Sequence, residues 1–342
     1  MAARDMIVIG GSAGAIEAVS KVVSDLPADL PASVFVVIHF PTDSVSVLPR
    51  ILERAGRLPA HHPADQETIR HGQIYVAPPD YHLNIQDGVV RCRRGPKENG
   101  VRPAIDPLFR TAAEARGPRV IGVILSGNLT DGTAGLQAIK RRGGVTIAQD
   151  PQGLIYQSMP RSAIENVPVD HICPVEDIGP ALLELVRTPV QEVPTMPAAD
   201  EVHAAERDAV ARDRTRNDGI PSTYTCPECH GTLWEVEDGD VLGFRCRVGH
   251  AYSADALYSH QDDGVEAALW TALRSLEEHT ALCRRLAAKA RDRGRPRSDT
   301  LFTEKAIEAE GHARVLRQAV LAAGSALHAA LAAELVADED VS

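Results

Sequence analysis

Ser12 lies in Gly10-Gly11-Ser12-Ala13-Gly14, directly after the apolar run Met6-Ile7-Val8-Ile9 and ahead of a helical pattern. A phosphate-binding loop at that place would need G-x-G-x-x-G or a Walker lysine, and neither is there. G-x-S-x-G is satisfied, and in a strand–turn–helix context it exposes a serine hydroxyl as a nucleophile. Free N–H groups at the start of the next helix would add partial positive charge at the same spot. Such a serine needs a base and a carboxylate that orients the base. His39, in Ile38-His39-Phe40-Pro41, and Asp131, just ahead of Gly132, are the candidates. A structural histidine and a helix-capping aspartate are the plain alternatives. Position favours catalysis. All three follow apolar, strand-like runs, and the carboxyl ends of parallel strands gather reactive groups on one edge.

A second set of residues suits a metal. Cys226-x2-Cys229-x16-Cys246-x3-His250 gives two close pairs of thiolate and imidazole donors across a strand-rich spacer. That is the spacing of a tetrahedral Zn²⁺ ribbon, and four protein ligands make the site structural. His230 competes as a ligand, but adjacent residues rarely both reach one ion. Cys92, Cys173 and Cys283 stand alone and read as small buried hydrophobes, and His61-His62 reads as a solvated pair.

Elements must hold these groups in place. Strands are expected at Met6–Ile9, Val34–Ile38, Gln73–Val76, Leu83–Ile85, Val89–Cys92, Val120–Leu125, Val145–Gln149 and His171–Pro174. Helices are expected around Ile16–Val23, Ser46–Ala55, Ile105–Ala115, Gly132–Arg141, Ser162–Asn166 and Ile178–Val186. Fully apolar strands alternating with helices predict an α/β, doubly wound, mostly parallel sheet of Rossmann-like type. Residues 188–222 read as a flexible linker, 223–260 as a small zinc-binding β module and 261–342 as a C-terminal α-helical hairpin with an acidic tail. Val265, Leu269, Leu273, Leu276 and Leu286 mark one stripe of the hairpin, and Leu316, Val320, Ala323 and Leu327 the other. Arg291–Arg297, with Gly294 and Pro296, separates them. Stripes of this kind call for a partner surface.

Composition narrows the function. The 342 residues carry a net charge of −11, unevenly placed. Residues 1–187 hold 19 basic against 20 acidic side chains, and the rest hold 17 against 27. Neutralising phosphates takes clustered Lys and Arg, so nucleic acid is excluded as a partner. No run of 18 apolar residues suggests a transmembrane helix, and Met1-Ala2-Ala3-Arg4-Asp5 offers no signal-peptide core. Six cysteines without a secretory signal point to a reduced, cytoplasmic protein that is not membrane-embedded.

Several blocks together resemble the CheB-type chemotaxis methylesterase domain. They are Gly10–Gly14, Ile38–Pro41, Tyr75-Val76-Ala77-Pro78-Pro79-Asp80-Tyr81-His82, Arg102-Pro103-Ala104-Ile105-Asp106-Pro107-Leu108-Phe109, Gly122–Gly127 with Asp131-Gly132, and Met159-Pro160-Arg161, all in family order over residues 4–187. The resemblance implies a serine hydrolase that removes methyl groups from glutamate 5-methyl esters on chemoreceptors, with glutamine deamidation as a side activity. It places the nucleophile at Ser12, the base at His39 and the aspartate at Asp131, with no catalytic cofactor. Ala13, Ala15, Ile38 and the loop Gly127-Asn128-Leu129-Thr130 depart from the common family pattern, at the rim and not at the triad. Arg102, Asp106 and Arg161 fall in family blocks and either line the site or make internal salt bridges. Oxyanion donors are expected near Ala13 and in residues 127–131.

The family's N-terminal receiver is not expected here, since five residues precede Met6. The 35-residue linker would reach roughly 30 Å, so the zinc module could touch the catalytic edge or swing free. Charge argues against strong docking, so residues 1–187 alone are expected to hydrolyse a small activated ester as fast as the full chain. The competing reading is a signalling scaffold that keeps the fold and recruits partners through the ribbon and helical tail.

Overall fold

The structure, a computed structural model, describes residues 3–40, 46–190, 219–238 and 241–337. Most of the expected linker therefore lies outside the described residues. The chain divides into two compact units, Met1–Tyr258 and Ser259–Ser342.

The first unit is built on seven strands: β1 (Met6–Gly11), β2 (Ser33–Ile38), β3 (Ala60–His61), β4 (Ile74–Val76), β7 (Val120–Ile124), β8 (Val145–Gln149) and β9 (His171–Cys173). They form one sheet in the order β3-β4-β2-β1-β7-β8-β9, with every pairing parallel. Between β4 and β7 the chain makes an antiparallel hairpin, β5 (His82–Gln86) and β6 (Val89–Arg93), turning on Asp87-Gly88 with both residues at positive φ. Parallel strands need crossover helices, which cover both faces. On one face α1 (Ala15–Ser24), α2 (Leu48–Ala55) and α6 (Val175–Arg187) pack on Ile7, Ile9, Val34, Val36 and Val123. On the other, α3 (Ile105–Arg116), α4 (Thr133–Arg141) and α5 (Ser158–Asn166) pack on Met6, Val8, Phe35, Val37 and Ile124. Alternate residues of each strand thus feed two separate cores, and this is why the strands read as unbroken apolar runs.

The doubly wound sheet is as the sequence implies. The two-residue β3 went unforeseen because its length gives no pattern to read. His61 ends this strand and His62 follows it, and both are half-buried, not solvated. His61 Nε2 lies 2.7 Å from Glu67 Oε1, and His62 Nδ1 lies 2.9 Å from the Val76 carbonyl.

The same unit carries a second, antiparallel sheet of β10 (Ile220–Thr225), β11 (Thr232–Asp238), β12 (Val241–Cys246) and β13 (Ala251–Ser253). Its small core holds Leu233, Phe244, Tyr252, Ala256 and Leu257 beside Cys226 and Cys246.

The second unit consists of α7 (Ala254–Asp292), which begins within the first unit, and α8 (Pro296–Ala337). The break falls in Arg291–Arg297 as expected. The hairpin seam follows the expected stripes only in part, at Leu273 and Val320. Leu273, Cys283, Ala287 and Ala290 are buried on α7, and Ala306, Ala309, Ala313 and Val320 on α8, whereas Val265 is exposed. Small residues let two helices approach closely, and counting leucines overlooked them. Ala323 and Leu327 of the expected second stripe lie outside the described side chains. Among the described residues no helix is long and apolar enough to cross a membrane.

Candidate active site

Ser12 immediately follows β1, and the chain turns through Ala13-Gly14 into α1. Its N–H donates to the Ser126 carbonyl at 3.0 Å, which ties it to the loop after β7. Ser12 is not among the residues at positive φ. Gly14, the N-cap of α1, takes that conformation (φ 76°), so glycine and not the serine makes the turn. Gly127 comes so close that a Cβ built there would stand 2.8 Å from the Ser12 Cβ.

His39 follows β2 on the same sheet edge, and its N–H donates to the Gly11 carbonyl at 3.2 Å. Its Nε2 pairs with Asp131 Oδ2 at 2.7 Å. That bond uses one ring nitrogen and leaves Nδ1 as the one available to a serine. The sequence-derived residues thus come together at one edge: His39 and Asp131 in direct contact, Ser12 joined to the flanking loops by backbone bonds.

Asp131 is 1% exposed and is held by more than the histidine. Oδ2 also accepts the Ile105 N–H at 2.6 Å, while Oδ1 accepts Asn99 Nδ2 at 3.0 Å and the Asp106 N–H at 3.3 Å. Asp131 is therefore not the cap of the helix it precedes but of α3. Asp106 returns the exchange by accepting the N–H groups of Gly132 and Gly135 at the start of α4, at 3.0 and 2.7 Å. Two buried carboxylates so close cannot ionise alike. Burial opposes the charge on Asp131, but hydrogen bonds from His39, Ile105 and Asn99 outweigh it and hold its carboxyl below the usual range. Burial, with Asp131 beside it, pushes Asp106 well above that range. Asp131 is the member that carries charge, as the partner of a histidine requires.

Gly10 explains how α3 gets there. A Cβ at Gly10 would stand 2.4 Å from Ile105, so only glycine on β1 lets the first residue of α3 lie against the strand and offer its N–H to Asp131. Next to it His82 is buried, with Nδ1 accepting the Ala104 N–H at 3.2 Å and Nε2 facing the Pro96 carbonyl at 2.8 Å. Burial depresses its pKa and keeps the ring neutral.

Other expectations shift. Arg102 ion-pairs internally with Asp80. Within residues 127–131 the Gly127 N–H is already given to the Tyr156 carbonyl at 3.0 Å. Of the lone cysteines only Cys283 is buried as expected; Cys92 and Cys173 are half-buried, and desolvation raises the Cys92 thiol to about 11 and the Cys173 thiol in the same direction. Asn99 was missed altogether. Its signal was the dipeptide Asn99-Gly100, the sequence of a tight two-residue turn.

The β10–β13 sheet gathers Cys226, Cys229, Cys246 and His250, whose donor atoms lie within 4.8 Å of one another. Cys229 Sγ and Cys246 Sγ are 3.6 Å apart, and His250 Nδ1 stands 3.6 Å from Cys226 Sγ and 3.5 Å from Cys246 Sγ. Four donors on a tetrahedron with a zinc–sulfur bond of about 2.3 Å would stand about 3.8 Å apart, so this cluster could hold such an ion. His230 is not part of it. It holds the knuckle turn instead, its N–H donating to the Cys226 carbonyl at 2.9 Å with φ 58°.

Comparison with known proteins bears on the first unit. The CheB methylesterase family model matches residues 7–182. The chain belongs to the CheB methylesterase family. A protein-glutamate methylesterase/protein-glutamine glutaminase of Pyrococcus horikoshii is 34% identical over 188 residues, covering 54% of this chain and 51% of its own length. The chain therefore spans about half the length of that relative. A putative protein-glutamate methylesterase/protein-glutamine glutaminase of Leptospira interrogans is 39% identical over 182 residues, covering 53% of this chain and 94% of its own. The crystal structure of the Thermotoga maritima CheB methylesterase catalytic domain superposes with a TM-score of 0.52 at 34% identity, covering 54% of this chain and all of that one.

Proposed function

We propose that this CheB-family chain is a protein-glutamate methylesterase acting on methylated chemoreceptors or related signalling proteins, with Ser12 as nucleophile, His39 as base and Asp131 as the orienting carboxylate. The supporting observation is the 2.7 Å contact of His39 with a buried, charged Asp131 at the strand edge that carries Ser12. His39 Nδ1 takes the Ser12 proton as Oγ attacks the ester carbonyl, and Asp131 stabilises the imidazolium. The tetrahedral oxyanion falls to the N–H groups left uncommitted by the turn, that of Ala13 foremost. Its collapse expels methanol, which leaves with the proton from His39. Water activated by the same histidine then cleaves the acyl-enzyme to release glutamate and restore Ser12. An amide in place of the ester gives ammonia by the same steps, hence the glutamine deamidation in this reading.

The Cys226, Cys229, Cys246 and His250 cluster is assigned a structural Zn²⁺, which would be worth about 10 kcal/mol or more to so small a module. Cys92, Cys173 and Cys283 form no disulfide and the other three cysteines belong to the cluster, which favours a reducing compartment, the cytoplasm. Exposed Trp270, Leu282, Ile307 and Val315 on the hairpin support a protein partner for the tail. A scaffold without catalysis is disfavoured by the upkeep of a buried, charged Asp131 bonded to His39, which binding alone does not need. Ser12→Ala tests the reading: the variant should melt like the parent and lose ester hydrolysis by several orders of magnitude. Near-parental turnover would refute it.

A further inference from the structure

One turn joins the Cys/His module to the candidate catalytic aspartate. Glu98 and Val101 exchange backbone hydrogen bonds of 3.3 and 3.0 Å across Asn99-Gly100, whose φ values are 51° and 74°. Both central residues at positive φ make this a type I′ turn, a conformation asparagine and glycine accept readily. The turn buries the Asn99 side chain, which is 5% exposed. Its Nδ2 faces two carboxyl groups, Asp131 Oδ1 at 3.0 Å and Asp106 Oδ2 at 3.3 Å. Its Oδ1 accepts the backbone N–H of Ser253, in β13 of the module, at 2.8 Å.

The module grips the same place at further points. The Asn99 N–H donates to the Ala251 carbonyl at 2.7 Å, and the Ala251 N–H to the Lys97 carbonyl at 3.3 Å. Ser253 Oγ lies 2.6 Å from Thr130 Oγ1, one residue before Asp131. Lys97 pairs with Glu228 at 2.7 Å, and a Cβ at Gly249 would stand 2.9 Å from Pro96. Glu98 stays charged at this junction. Its burial opposes ionisation, but Arg110, bonded to both carboxylate oxygens, holds its pKa below the usual value.

A terminal amide is nearly symmetric in shape, so something must decide which end meets the carboxylate. The Ser253 N–H does so. With Oδ1 claimed, only the NH₂ end is left for Asp131. Without that donor the amide could turn its oxygen toward the carboxylate and repel it. β13 is three residues long, and its register on β12 is set right beside Cys246 and His250. We propose, on the basis of the esterase reading, that Asn99 is a positioning residue for Asp131, that Ser253 fixes its orientation, and that metal on the Cys/His module thereby sets the geometry of the His39–Asp131 pair.

The test uses the full chain loaded with Zn²⁺, before and after removal of the metal by a chelator. Two readouts are taken: kcat and KM on a small activated ester, and amide hydrogen exchange at residues 97–101. Asn99→Gly deletes the amide yet suits the turn. It should lower kcat about 10- to 100-fold, leave KM within about twofold, and keep the metal. Asn99→Asp, which keeps the acceptor for Ser253 but sets an oxygen against Asp131, should lose at least as much. Lys140→Ala, in the last turn of α4 and paired with Asp170 away from both the turn and the reacting groups, should stay within about twofold. Chelation of the parent chain should mimic Asn99→Gly and speed exchange at 97–101, Zn²⁺ should reverse both, and chelation of Asn99→Gly should cost no further kcat. Undiminished kcat in both Asn99 variants, a loss confined to KM, or equal chelation losses in parent and Asn99→Gly would overturn the proposal. A parent chain without ester turnover would refute the esterase reading instead, and exchange at 97–101 unmoved by the metal would then overturn the clamp as well.

Discussion

Gly127→Ala tests how tightly the loop after β7 holds Ser12. The added methyl would stand 2.8 Å from the Ser12 Cβ, and 2.9 and 3.0 Å from the Sδ and Cε of Met159. Ordinary carbon–carbon contact is about 3.5–4.0 Å, so roughly 0.7–1.2 Å of relief is required at Ser12. Met159 can give way, since its thioether is the flexible end of an unbranched side chain. Ser12 Cβ cannot move alone, because it is fixed to a backbone bonded to Ser126 at 3.0 Å. Part of the displacement must therefore reach the nucleophile. Overpacking of this kind costs about 1–3 kcal/mol in stability, and a misplacement of about 1 Å at a reacting group costs about 100-fold in rate. Steady-state hydrolysis of a small activated ester should show kcat down roughly 10- to 100-fold, with a melting point a few degrees lower. Parental kcat in a folded Gly127→Ala chain would refute the claim that this loop sets the position of Ser12.

The metal assignment makes a second prediction: the purified chain should carry about one Zn²⁺, and Cys229→Ser should release it. A folded β10–β13 sheet without metal would contradict that. A third concerns acid stability. Because the folded-state pKa of Asp131 is depressed from 3.8, its contribution is present above that value and is lost as pH falls through the lower folded value. Asp131→Asn should therefore lose less melting temperature than the parent as pH falls below about 4, and parallel curves would contradict the assignment.

The sheet was legible because parallel strands buried on both faces are written as unbroken apolar runs, Val34–Ile38 above all. Ser12, His39 and Asp131 were legible because each follows such a run. The support of Asp131 was not. Its bonds come from Ile105, Asp106 and Asn99, and what brings α3 close enough is Gly10, whose role depends on Ile105 across the fold. The reciprocal capping by Asp106 and Asp131 was hidden for the same reason, since either aspartate alone reads as a local cap. The Cys/His spacing revealed the module but not its place. Net charge suggested weak docking, whereas the contact rests on backbone hydrogen bonds, the buried Asn99 amide, the Ser253–Thr130 hydroxyls and a local Lys97–Glu228 pair, none of which net charge shows. For that reason residues 1–187 alone are now expected to turn over more slowly than the full chain, contrary to what linker length and charge imply.

The most direct measurement is methanol release from a chemoreceptor fragment bearing glutamate 5-methyl esters, incubated with the parent chain or with Ser12→Ala. The parent should release methanol in step with the loss of esters, and Ser12→Ala should fall to the uncatalysed background. Absence of release by the parent, or equal release by the two, would contradict the assignment of this chain as a serine methylesterase.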